Sequence, residues 1–216
     1  MLSSLFTRFK INDLPSPEAA EVTAFWTWFS THHEEIEQSL GDPQALVRLI
    51  APRLHRVHGE LTFEVGRDAG GTYCFVVSAD GILKTMPAVE TLVAGAPGLA
   101  GWRVVAFRPP KERIETIQFQ GCSFAPDDFW YAPLMNEDGQ RLDLVIAVGE
   151  DKAPPDDEQI IGAAFLLLDA LIGEYNVMTR VGAIDFAKVP AAELNQAQGF
   201  KPLTQLNEEF ESRFGG

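Results

Sequence analysis

Two stretches of this chain, TYCFVVSADG (72–81) and RLDLVIAVGED (141–151), are alternating, β-branched strands that end on an acidic turn. Each is followed by one helical segment and one further strand, and each is preceded by a strand of its own. LTFEV (61–65) joins TYCFVVS through the glycine-rich GRDAGG, the pattern of a β-hairpin. Met86, Val89, Leu92, Val93 and Ala96 then follow at helical spacing up to Pro97, and GWRVVAFRPP (101–110) is the third strand. Pro109 and Pro110 end that strand, because proline cannot donate to a sheet ladder. The order returns later in the chain. FWYAPL and LDLVIAV flank MNEDGQR, with Asp138-Gly139 as its turn signal, a helix spans about 157–172, and VMTRVGAIDFAKV (177–189) closes at Pro190. A strand–strand–helix–strand unit written twice, over 61–110 and 129–190, is therefore expected. RIETIQFQG (113–121) between them is expected as an additional edge strand.

The flanks are helical. Ser16-Pro17 is the expected start of a first helix that places Val22, Phe25, Trp26, Phe29, His33, Ile36 and Leu40 on one face. Asp42-Pro43 starts a second through Leu46, Leu49, Ile50, Leu54 and Val57, with Pro52 expected to kink or break it. These helices occupy 16–58, and Leu203, Leu206, Phe210 and Phe214 mark a docking helix over 203–214. With no linker or low-complexity segment, 1–216 reads as one α+β domain. It is expected to hold one continuous, mixed but largely antiparallel sheet with packed N- and C-terminal helices.

FWTWF (25–29), VVSADG (76–81), GWRVVAFRPP (101–110) and GEYNV (173–177), taken as a set, resemble a family of bacterial α+β proteins without an assigned activity. The resemblance covers roughly Phe25 to Leu206. It implies a soluble bacterial protein and carries over no catalytic residue.

Charge excludes several classes of function. Acids outnumber bases 31 to 17, a net −14, so a surface that neutralises phosphates is not expected, and neither nucleic acid nor an anionic membrane is an expected partner. The first twelve residues lack the apolar run and cleavage site of a signal peptide, and no apolar stretch is long enough to span a bilayer, as expected of a cytoplasmic chain. Two cysteines, Cys74 and Cys122, make neither a disulfide framework nor a zinc knuckle, and Cys74 is expected as a buried, inert thiol.

No motif names a reaction. His55 and His58 are three apart, but zinc needs three or four convergent ligands, and the four histidines read as packed or solvated. The acidic run Glu150, Asp151, Asp156, Asp157 and Glu158 lacks calcium-loop spacing and suits the start of a helix, where the dipole stabilises carboxylates. Ser78 has no nucleophile elbow, Cys122 has no activating neighbour, and the glycines of GRDAGG and GAPG form no phosphate cradle. Metal and cofactor are therefore both expected to be absent.

One constellation follows from topology. A strand–helix–strand crossover makes its strands parallel, so Asp80 and Arg108 would lie on one rim, with Glu150 and Lys188 in the corresponding places of the second unit. Trp28 lies off the apolar stripe of the first helix, which leaves it either an exposed contact residue or packed beneath the C-terminal helix. Two function classes stand. The first is a non-catalytic binding or interaction protein with an acidic surface and a basic protein partner, its oligomeric state unknown. The alternative is a small-molecule hydrolase or transferase using the rim carboxylates Asp80 and Glu150.

Overall fold

A computed structural model describes residues 16–135, 139–149, 157–190, 194 and 199–215. The chain divides into two compact units, Met1–Phe107 and Arg108–Gly216.

In the first unit α1 (Ala19–Gln38) and α2 (Pro43–Val57) precede β1 (Thr62–Arg67), β2 (Tyr73–Ser78), α3 (Met86–Ala94) and β3 (Trp102–Ala106). α1 starts later than Ser16-Pro17 suggests. Glu18 in extended conformation precedes its first turn, and no side chain caps it. α2 begins as expected, with the Asp42 side chain accepting from Ala45 N, and it continues through Pro52 as one helix. β2 pairs antiparallel with β1 and parallel with β3. The core is aromatic: Phe29 meets Phe75 at 5.0 Å and Trp102 at 5.1 Å, and Trp26 meets Phe29 at 5.4 Å. Trp26 satisfies its buried indole N–H on Leu92 O at 2.8 Å, which ties α1 to α3. Cys74 is half-buried, since the pleat turns Phe75 fully inward and its neighbour outward.

The second unit holds a hairpin, β4 (Ile117–Phe119) and β5 (Cys122–Phe124), then β6 (Phe129–Met135), β7 (Leu142–Gly149), α4 (Asp157–Ile172), α5 (Glu174–Arg180), β8 (Val181–Val189), β9 (Lys201–Pro202) and α6 (Leu206–Phe214). β7 pairs antiparallel with β6 and parallel with β8, so strand order and direction repeat those of β1, β2 and β3. β9 adds to the outer edge of β6. One face of this sheet, with Tyr131, Leu142, Leu144 and Ile146, shares a core with Ala163, Ala164, Leu167 and Leu168 of α4 and with Leu206 and Phe210 of α6. Asp138 lies outside the described residues.

Three further expectations are corrected. Among the described residues the strands form three sheets, of three, two and four strands, and not one continuous sheet. Each unit covers its own sheet with its own helices, so neither needs the other's strands to bury an apolar face. Among the described residues RIETIQFQG is not an edge of a larger sheet: β4 turns back through Gln120 and Gly121, both at positive φ (47° and 81°), to pair with β5 alone. Val177 to Arg180 are helical, not strand. Gly173, at φ 82°, ends α4 and starts α5, which is bent 106° from it, and Asn176 Nδ2 donates to Ile172 O across the break. Among the described residues no single helix is long and apolar enough to cross a membrane.

Candidate functional site

The parallel pairs place their carboxyl ends where ligands gather in open α/β sheets. In the first unit that edge carries Ser78, Ala79 and Asp80. Ser78 is buried and its hydroxyl accepts from Asp80 N at 3.0 Å, in a turn that holds Asp80 at φ 51° and leaves this residue exposed. An exposed carboxylate lacks the desolvated, enclosed setting in which catalytic acids and bases are tuned.

Arg108 belongs to the second unit. Its guanidinium lies 3.5 Å from Asp169 of α4, while its backbone and Glu174 bind each other twice. Arg108 N donates to Glu174 Oε2 at 2.9 Å, and Glu174 N donates to Arg108 O at 2.9 Å. Glu174 is fully buried, and Lys111 N reaches Ala170 O at 2.8 Å. The segment after β3 and the GEYNV segment, 66 residues apart at this bond, thus form one latch across the α4–α5 break. A Cβ on Gly173 would lie 2.9 Å from Pro110 Cδ. Sequence reading left Glu174 out of the candidate set. The available signal was its position just after a helix-breaking glycine.

In the second unit the corresponding edge carries Lys188, whose Nζ lies 2.6 Å from Asp157 Oδ1; Glu150 falls outside the described residues. Beside this pair is a cavity of about 350 Å³ lined by Ile146, Val148, Ile160, Ile161 and Phe186. Its walls are apolar, and Lys188 at its mouth is already paired.

A second depression, about 430 Å³, is polar and lined by Tyr131, Lys201, Glu208, Glu209 and Arg213. Glu209 accepts from Tyr131 Oη at 2.8 Å, Lys201 Nζ at 2.7 Å and Arg213 Nη2 at 2.6 Å. Burial alone would raise this carboxyl, but the three hydrogen bonds outweigh it and hold Glu209 at about 2. Burial, then the bond to Glu209, pushes the Tyr131 phenol well above its ordinary range. Both groups are moved away from neutral pH, the wrong way for a general acid or base. The network fastens α6 and β9 to β6. Tyr131 and Glu209 alone stand 78 residues apart, so no local pattern announces it.

Among the described residues no group of three or more His, Cys, Asp or Glu converges as metal ligands. His55 is exposed, and His58 Nδ1 lies 3.3 Å from Glu60 N. Trp28 is half-buried, stacked on His32 at 5.2 Å and in contact with Phe25 at 5.9 Å. Further along α1, Glu34 and Glu35 are exposed, and Glu37 accepts from the Trp102 indole at 2.9 Å. No family model matches the chain, and no curated protein or solved structure matches it.

Proposed function

We propose that this chain is a non-catalytic cytoplasmic interaction protein that presents an acidic surface to a basic protein partner. The observation that carries the proposal is the end of α1. Glu34 and Glu35 are exposed in its final turns, and the last turn holds no basic residue. A helix C-terminus already carries negative partial charge, so carboxylates there oppose the dipole at a cost of about 0.3–1 kcal/mol each. A local arrangement that costs stability fits a surface kept for what it binds. The chain's −14 charge adds a long-range field that speeds encounter with a cationic surface. Charge at the rim contributes little affinity, so an aromatic anchor is needed, and Trp28, half-buried about two turns before these carboxylates, is the candidate.

Two further observations favour binding over catalysis: Asp80 is exposed, and the two strongly shifted groups, Tyr131 and Glu209, titrate far from neutrality. The test is capture of a partner from lysate of the source cell at low and high salt, followed by association kinetics with the purified partner. Salt should slow association, and Trp28→Ala should speed dissociation. Recovery of no basic protein at low salt, or an association rate indifferent to salt, would sink the reading.

A further inference from the structure

The longest strand of the described residues is at an edge. β8 spans nine residues and, among the described residues, pairs on one side only, with β7. From Ile184 onward, past an irregularity at which Ala183 N donates to Asp143, its other side presents backbone donors and acceptors that another extended chain could pair. Ala183, Asp185 and Lys188 on this strand are exposed. Apolar side chains lie beside this edge as well. Phe186 lies 6.3 Å from Phe165 of α4, and it shares the smaller cavity with Ile161. Ile161 is 36% and Phe165 43% exposed, on a helix whose other large residues are mostly buried.

We propose that this edge and the neighbouring face of α4 form a two-fold interface with a second copy of the chain. Three arguments select a copy over another occupant. In a chain of net charge −14, self-association is least opposed where acidic charge is offset, and here Lys188 offsets Asp157, which leaves Asp185 as the carboxylate of this strand that the register must keep from its own copy. A two-fold axis makes β8 pair antiparallel with itself, and antiparallel pairing keeps each face continuous, so a residue meets one of its own parity. The register centred on Phe186 places that ring opposite its own copy, sets Ile184 opposite Lys188, and sets Asp185 opposite Ala187 rather than another aspartate. Aromatic cross-strand pairs stabilise such a ladder and directly opposed like charges destabilise it. Finally, the same antiparallel arrangement brings the two α4 helices alongside each other, covering Ile161 and Phe165 together with the edge.

The exposed fractions of these side chains are modest, so a weak, concentration-dependent dimer is expected. The experiment is sedimentation velocity on the full chain from about 1 μM to about 500 μM, a range that brackets a weak complex. The mass should rise from 23.8 kDa towards twice that value. Phe165→Glu, a change at a partly exposed position, should keep circular dichroism unchanged, lower thermal stability only slightly through its contact with Phe186, and lower self-association about tenfold or more. Phe186→Cys tests the register: under mild oxidation it should give a cross-linked dimer that wild type, with Cys74 and Cys122 alone, does not give. A chain that stays monomeric throughout overturns the proposal, as does a dimer indifferent to Phe165→Glu. A dimer that the Phe186→Cys variant fails to cross-link refutes the strand pairing.

Discussion

Acidification isolates the Glu209 network. This carboxyl titrates ordinarily at 4.5 and in the folded chain at about 2. A group depressed by folding binds fewer protons folded than unfolded. Its stabilisation is therefore fully present above about pH 5 and is lost as pH falls through 4.5 towards 2. The gap between the two values is worth about 3 kcal/mol at most. Lys201 and Arg213 are 48% and 35% exposed at the side chain, so salt screens part of their share, whereas Glu209 itself is only 11% exposed. About 2 kcal/mol should disappear between pH 5 and pH 3. Other carboxylates titrate over the same interval, so the measurement is a difference. It compares urea unfolding of wild type and Glu209→Gln at pH 7, 5 and 3, with amide exchange in β6 and β7 reporting the second unit. The variant should be less stable by about 2–3 kcal/mol at pH 7 and by about 1 kcal/mol or less at pH 3. A stability gap that stays the same from pH 7 to pH 3 would refute the reasoning, because the substitution would then cost packing and not charge.

Other outcomes follow from single contacts. Gly173→Ala should cost about 2–4 kcal/mol in thermal or urea unfolding, because alanine is strained at φ 82° and its methyl would meet Pro110. Glu174→Ala should cost about 3 kcal/mol by removing the acceptor of Arg108 N, and Glu174→Gln, which keeps an acceptor, clearly less by the same assay. Trp26→Phe should lose about 1–3 kcal/mol, since Leu92 O forfeits its buried indole donor, and exchange should rise in α3. Protein purified without an affinity tag should contain no stoichiometric zinc by elemental analysis, since His55 and His58 have no third ligand nearby among the described residues.

Local patterning alone determined the repeated unit. Period-two alternation over 61–65, 73–78 and 142–148 and helical spacing over 157–172 each depend on neighbours a few residues away, so these elements are legible without knowing what they pack against. The candidate residues were legible only by type. Asp80, Arg108 and Lys188 stand at strand ends as expected, yet what each can do is decided by exposure and partner: an open turn for Asp80, Asp169 for the Arg108 guanidinium, Asp157 for Lys188. Val177 to Arg180 read as strand from their side chains but are helical, because the Glu174 latch, closed by Arg108, makes the chain turn at Gly173 first. Separation into three sheets, the burial of Glu174 and the depressed Glu209 belong to tertiary structure for the same reason. Each rests on hydrogen bonds or packing between segments far apart in the chain, and in a desolvated setting the partner, not the residue type, sets the energy.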